Sequence, residues 1–273
     1  MPELPELELL RNALTKYAAG KKILAVLPNP SRAFVIRYPP LYFARDLTGR
    51  TIQSIERRGK FLIFSFKDSG PQLIINPMLS GRFAYCSRAA PSLPATCFTL
   101  QLSGAEDIRF LDNTMMARVY LTSDPAREIP AFGELGPDAL DPALDFATFS
   151  ARLRRHRGEL KNVLRNQAFL AGIGNAYGDE ILFEAKLRPL RRASTLSDQE
   201  RYDLYEAMRK VLAASVATVQ RQHASGKHPL HKQDRAFMKI HGKGKATCPR
   251  CGHRISSVHA GGESTFFCRN CQK

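Results

Sequence analysis

The chain has 273 residues, 41 of them Lys or Arg against 25 Asp or Glu, for a formal net charge of +16 at pH 7. At roughly 150 residues per domain this length predicts about two domains with a sizeable core, and the charge points to a polyanionic partner, nucleic acid first. No run of about 20 apolar residues is present and the N-terminus is acidic and polar, so the sequence excludes a spanning helix, predicts no signal peptide and places the chain in a reducing cytoplasm, where its six cysteines are not expected to form a disulfide framework.

The chain starts Met1-Pro2-Glu3-Leu4-Pro5-Glu6. Removal of Met1 turns Pro2 into a free secondary amine. With a terminal-amine pKa of roughly 8, part of it is neutral at physiological pH and can attack an aldehyde carbon to give an iminium. Glu3 adjoins it as an acid–base partner. The same residues read equally well as a plain Pro-rich start, and the rest of the chain has to decide. A helix over about residues 3–18 follows, with Leu7, Leu9, Leu10, Leu14 and Tyr17 on its apolar face. Starting at Pro2, it would put its positive end at the amine and lower the amine pKa.

Residues 22–121 hold short β-branched or alternating runs, among them Ile23–Leu27, Phe61–Phe66, Leu73–Ile75 and Phe98–Leu102, separated by turn formers such as Lys67–Pro71, Leu79-Ser80-Gly81 and Ser103–Asp107. This spacing predicts a β-sandwich or barrel. Gly133–Asp138 and Asp141-Pro142 read as a hinge or linker. Beyond it the pattern becomes helical and opens with a basic stretch containing Arg152, Arg154, Arg155, Arg157, Lys161 and Arg165, which reads as a solvated face or as part of a DNA surface. Leu170–Glu180 contains Gly172-Ile173-Gly174-Asn175; two glycines before a helix start expose backbone N–H groups to a phosphate, and Asn175 is placed to cap the helix and to touch a nucleic-acid backbone. Leu196 to Gln220 reads as an amphipathic helix capped by Ser197 and Glu200.

Four cysteines close the chain: Cys248-Pro-Arg-Cys251, 16 residues, then Cys268-Arg-Asn-Cys271. Two such pairs match a tetrahedral four-thiolate zinc site with no open position, hence one structural zinc ion, with the intervening residues forming a hairpin that needs the metal to fold. Lys243, Lys245, Arg250, Arg254 and Arg269 are expected to turn the hairpin toward phosphates. Cys86 and Cys97 read as ordinary core or strand residues.

Taken together, the Met-Pro-Glu-Leu-Pro-Glu start, Gly59-Lys60 entering a strand after Arg57-Arg58, Leu135-Gly136-Pro137, Ala171–Tyr177 and the terminal Cys-Arg-Asn-Cys-Gln-Lys resemble the formamidopyrimidine-DNA glycosylase / endonuclease VIII family over residues 2–273. The resemblance implies an α+β multidomain protein: a catalytic β-sandwich with leading helix over 2–130, a linker over 131–145, a helix–two-turns–helix DNA-binding domain over 146–236 and a zinc finger over 237–273, with damaged double-stranded DNA in the cleft between. It implies a bifunctional base excision repair glycosylase and AP lyase, acting as a monomer, cytoplasmic and nucleoid-associated in a bacterium. Pro2 is then the Schiff-base nucleophile and Glu3 its proton partner. Lys60 is a proton donor or phosphate contact, Glu6 a support for the helix, and Asn175 a backbone clamp. Leu79, Met115, Met116, Arg118, Lys161 and Arg254 are further DNA-contact candidates, and Cys248, Cys251, Cys268 and Cys271 hold the zinc.

Three departures separate this chain from the family pattern. Glu263 stands where the finger hairpin usually carries an Arg bound to the lesion phosphate, and a carboxylate there repels phosphate, so the second, δ-elimination is not carried over. Leu79 replaces a Met wedge and Asp112–Arg118 replaces an Asp-Pro-Arg-Arg-Phe-Gly loop; an apolar wedge from Leu79 with Met115 or Met116 can still hold a gap open, with weaker discrimination of the opposite base. The segment Gln222–Lys239 lacks the family loop that covers a flipped purine, which leaves the lesion open. Two alternatives follow: a damaged-DNA-binding protein with reduced turnover, and an enzyme shifted to other lesions that acts by β-elimination only.

Overall fold

Leu7, Leu10 and Leu14 recur at helical spacing, and they form the buried stripe of α1 (Leu4–Ala18). The helix begins two residues later than a start at Pro2. Pro5 falls in the first turn, where its missing N–H costs nothing, and Glu3 is the N-cap. Tyr17 is not in the core; it stacks on Tyr85 at 4.7 Å between ring centroids. The computed structural model describes residues 1–223, 235–260 and 262–273, and the chain divides into one unit built on Met1–Gly133 and another on Glu134–Ala217 with the C-terminal segment.

In the first unit, β1 (Ile23–Pro28) and α2 (Pro40–Leu47) precede seven strands: β2 (Ile52–Arg58), β3 (Phe61–Phe66), β4 (Gln72–Asn76), β5 (Arg82–Ser87), β6 (Thr96–Leu102), β7 (Glu106–Leu111) and β8 (Arg118–Thr122). They form two four-stranded sheets, ordered β1-β6-β7-β5 and β2-β3-β4-β8, with antiparallel neighbours throughout. The inward residues of both sheets share one core with α1. Phe64 of one sheet meets Phe83 of the other at 6.2 Å, and Phe83 and Phe98 each pack on Phe110. Each such fully buried ring contributes on the order of 2–3 kcal/mol, which is why the alternating strands settle as a sandwich. Cys97 lies in this core, and burial pushes its thiol up to about 11. A single-turn helix, α3 (Pro125–Glu128), follows, capped by Asp124.

The second unit holds α4 (Phe146–Leu153), α5 (Leu160–Arg165), α6 (Asn175–Glu184), α7 (Asp198–His223) as far as Ala217, and the hairpin β9 (Ser256–Ala260) with β10 (Glu263–Phe267). Asp145 caps α4 through the Thr148 N–H at 2.7 Å. The reciprocal box at α7 is present as read: Ser197 N donates to Glu200 and Glu200 N donates to Ser197 Oγ. The stretch read as a hinge is in part built into this unit. Gly136 N donates to Gln167 O, Ala171 N donates to Pro137 O, and Asp138 bridges Ala171. A Cβ at Gly136 would stand 2.5 Å from Ala168 O, so only glycine permits that approach. Of the segment Gln222–Lys239, residues 224–234 lie outside those described. Among the described residues no helix is long and apolar enough to cross a membrane.

Candidate functional site

The start of the chain is locked before any chemistry is considered. Pro2 and Glu3 are buried, Glu3 to 1 % exposure. The Glu3 N–H donates to the Glu6 carboxylate at 2.9 Å, and the Glu3 side chain accepts from the first turn in return. Glu6 therefore belongs to the cap, in line with its expected supporting role. While Met1 is attached the Pro2 nitrogen is an amide; it precedes the cap rather than sitting in the first turn. Lys60 is the second residue of the two-residue turn between β2 and β3, not a strand residue, and Gly59 supplies the positive φ of 57° that the turn's first position requires. Arg57 ties this turn to the leading helix, donating to Glu8 at 2.6 Å and to Gly59 O at 3.0 Å.

Two further loops of the first unit are joined through Asp112, which is fully buried. Its carboxylate accepts from Ser80 Oγ, from Thr114 N at 3.0 Å and Thr114 Oγ1 at 2.9 Å, and from Ala117 N at 2.7 Å. Burial alone would raise its pKa; the bonds from Ser80, Ala117 and Thr114 outweigh burial and hold it below the ordinary value. Sequence reading quoted Asp112 without assigning it this role. The Pro77–Gly81 turn is tight: Gly81 N donates to Pro77 O, and a Cβ on Gly81 would meet that oxygen at 2.5 Å. Leu79 is presented to solvent at 47 % exposure and Met116 at 46 %. Met115 has a left-handed φ of 54° and packs against the sandwich core. Of the two methionines weighed as wedge, Met116 is therefore the exposed one. Arg118 is exposed and lines a groove of about 460 Å³ with Arg37, Tyr38 and Glu128.

In the second unit, the expectation for Lys161 is corrected. Its side chain is 3 % exposed, ion-paired with the fully buried Asp179 and bonded to Asn175 O, so it is not available on a surface. Gly178 makes room for it, with a Cβ position only 3.4 Å from the lysine stem. Asp179 also meets His241 Nδ1 at 2.7 Å, and Glu180 accepts the backbone N–H groups of Lys239, Ile240 and His241. These carboxylates pin the segment before the finger onto α6. Lys161→Met leaves Asp179 without its buried lysine partner and is expected to cost roughly 3–5 kcal/mol, lowering the midpoint of thermal unfolding by on the order of 10 °C. Circular dichroism checks this; an unchanged midpoint would show the pair to be dispensable.

Lys161 holds the backbone of Asn175, and Gln167 braces the loop before it, donating to Ile173 O and accepting from Gly172 N. Arg152, from the basic stretch, donates to Phe169 O and Ala168 O. Gly174, not Asn175, is the N-cap of α6. The Asn175 amide is half-buried and donates to Ser264 O of β10 at 3.1 Å, while its Oδ1 has no hydrogen-bond partner among the described residues. Arg165, at the end of α5, forms an ion pair with Glu263, a pairing that sequence reading missed.

The four terminal cysteines converge, their sulfurs all within 4.8 Å of one another. Cys248 and Cys271 Sγ are 3.9 Å apart, Cys251 and Cys268 Sγ 3.5 Å. Four thiolates at about 2.3 Å from a tetrahedral zinc stand about 3.8 Å apart, so the donor set fits a structural zinc ion with no position left for a substrate. Ile240, Ile255 and Phe183 of α6 complete this small core. Gln272, fully buried, clips the chain end through Leu187 O and Cys268 N. Arg250 does not point toward a partner: it donates to Phe183 O at 2.8 Å and lies over the Phe183 ring. Arg254 is exposed beside β9.

Residues 1–119 match the formamidopyrimidine-DNA glycosylase N-terminal domain, 135–225 its H2TH domain and 247–273 the zinc finger found in FPG and IleRS. The formamidopyrimidine-DNA glycosylase of Moorella thermoacetica is 37% identical over 265 residues, covering 94% of each chain, and that of Desulforamulus reducens 34% over 282 residues, covering 100% of this chain and 99% of its own. Among solved structures, MutM in complex with DNA containing carbocyclic 8-oxo-G is 28% identical with a TM-score of 0.86 over 100% of both chains, and Lactococcus lactis Fpg in complex with DNA containing an abasic site is 27% identical with a TM-score of 0.88 over 99% of both. On this evidence the chain belongs to the formamidopyrimidine-DNA glycosylase family of base excision repair DNA glycosylases with AP lyase activity.

Proposed function

We propose that the chain, freed of Met1, excises oxidised or ring-opened bases from double-stranded DNA with Pro2 as nucleophile and then nicks the strand by β-elimination. The observation that carries the reading is the buried, cap-locked Pro2-Glu3 start in a member of this family. The Pro2 nitrogen lone pair forms a bond to C1′ as the bond from C1′ to the base breaks, and the proton that the nitrogen then sheds leaves with the base. Glu3 delivers a proton to the ring oxygen as the bond between C1′ and that oxygen opens, giving the iminium. The iminium draws electrons from C2′; loss of a C2′ proton forms the C2′–C3′ double bond and expels the 3′ phosphate. Water then hydrolyses the iminium and restores the amine. Lys60, held near the leading helix by Arg57, is assigned to a phosphate or proton transfer near the lesion.

Asn175 is assigned to the DNA backbone, which fits its place at the start of α6 and the excess of positive charge. The chain is read as a monomer of the bacterial nucleoid, in keeping with its bacterial relatives. The preferred test is multiple-turnover assay on a panel of oxidised, ring-opened and bulky lesions with analysis of product ends. An unsaturated aldehyde at the 3′ side supports β-elimination alone, a 3′ phosphate would show that δ-elimination occurs, and absence of turnover on every lesion would favour a damaged-DNA-binding protein.

Flipping a base out of the stack costs a few kcal/mol, and a side chain in the gap offsets that cost. The double variant Leu79→Ala/Met116→Ala is expected to lose about 10- to 100-fold in kcat/KM on a paired lesion and little on a pre-formed abasic site. Equal losses on both substrates would remove these residues from the wedge. Met115→Ala, by contrast, is expected to lower stability through its packing on the core.

A further inference from the structure

Glu263 sets a carboxylate at the start of β10, on the hairpin of a chain that binds a polyanion. Left alone it would repel phosphate. It is not left alone: Arg165 pairs with it from the last turn of α5. The next hairpin residue, Ser264, accepts through its carbonyl from the Asn175 amide. Consecutive residues of one strand thus hold a guanidinium and an amide that come from the two ends of one loop, the Asn166–Gly174 connection between α5 and α6. Gln167 binds both sides of that connection, donating to Arg165 O and to Ile173 O, so the two groups are positioned by one braced unit. Arg165 remains about one-third exposed and Glu263 slightly more. A guanidinium has more donors than one carboxylate accepts, so its outer N–H groups stay available. The Asn175 amide gives one of its two N–H groups to Ser264 O, so a second donor is left for the same backbone.

We infer that Arg165 is the phosphate-binding cation of this face, with Glu263 as its positioning residue and Asn175 as its neighbour on the same DNA backbone. The inference rests on the DNA-binding reading above. It assigns the cationic role to a helix of the second unit rather than to the hairpin, and turns Glu263 from a repelling charge into a tether. The pair is a surface one, worth little to stability, so variants at either position are expected to fold.

The test measures equilibrium binding of the full zinc-loaded protein to a duplex carrying a tetrahydrofuran abasic analogue, across a salt series. Arg165→Ala is expected to weaken binding by about 10-fold and to flatten the log–log salt slope by about 0.9, the value for one phosphate contact. Arg165→Lys is expected to keep the slope while losing part of the affinity, because charge is retained and the fork is not. Glu263→Gln is expected to change affinity in the parent but not in the Arg165→Ala background, since it acts through Arg165. An Arg165→Ala variant with the parent's affinity and slope overturns the inference. So does a Glu263→Gln effect of equal size in both backgrounds, which would mean that Glu263 meets the DNA directly. If the parent itself fails to bind, the DNA-binding reading falls instead.

Discussion

Protein that retains Met1 is expected to give no borohydride-trapped adduct with abasic-site DNA, while binding that DNA with nearly unchanged affinity. The reason is electronic. The nitrogen of Pro2 in a Met1–Pro2 peptide bond shares its lone pair with a carbonyl and cannot attack C1′, whereas the free amine, with a pKa near roughly 8, can. Processed protein should trap efficiently, and processed Pro2→Gly weakly, because a primary amine remains at the same place. Glu3→Gln gives the complementary loss: base excision is expected to fall by about 10²–10⁴-fold, the usual range for removing a general acid. That substitution leaves an amide oxygen able to accept from the first turn, so the cap that starts α1 survives and the loss reads as chemistry rather than unfolding. Mass spectrometry of the N-terminus, run beside the trapping gel, assigns each preparation to one form. A trapped adduct from protein with Met1 intact would place the nucleophile on another residue.

What the sequence made legible were features that neighbouring residues determine. Leu7, Leu10 and Leu14 marked a helix face, Ser197 and Glu200 a cap, and the cysteine pairs a metal site; each is a pattern closed within a few residues or, for the cysteines, within one hairpin. The fate of a lone charged residue was not legible in this way. Lys161 and Arg165 lie on the same six-residue helix, four positions apart, yet Lys161 is buried against Asp179 and Arg165 meets Glu263 near the surface. Nothing local to either residue names its partner. Arg250 was read as phosphate-facing for the same reason, and it is held by Phe183 and Glu184 instead. Met115 and Met116 are indistinguishable as letters; the left-handed backbone at Met115, set by the Asp112 hydrogen bonds, decides which one packs inward and which one is exposed.

Removal of zinc is expected to abolish tight DNA binding and to restore it when zinc is returned. The hairpin has little core without the metal: among the described residues its cluster holds, besides the cysteines, Ile240, Ile255 and the aromatic rings of Phe183 and Phe266. A structural zinc in such a setting contributes on the order of 10 kcal/mol or more of apparent binding free energy, which here is folding free energy of the finger. Losing it releases β10, and with β10 go both tethers that reach the loop before α6, Ser264 to Asn175 and Glu263 to Arg165. The expected fall in affinity for abasic-site duplex is therefore about 100-fold or more, larger than for any single contact worth roughly one phosphate. Cys251→Ser should act in the same direction and resist rescue by added zinc. The sandwich of the first unit draws its stability from its own two sheets and α1, so its strand signal in circular dichroism should persist after chelation. This separates local loss of the finger from general unfolding. Metal-free protein that bound DNA as tightly as the zinc-loaded form would exclude the hairpin, and with it the Arg165–Glu263 tether, from the interface.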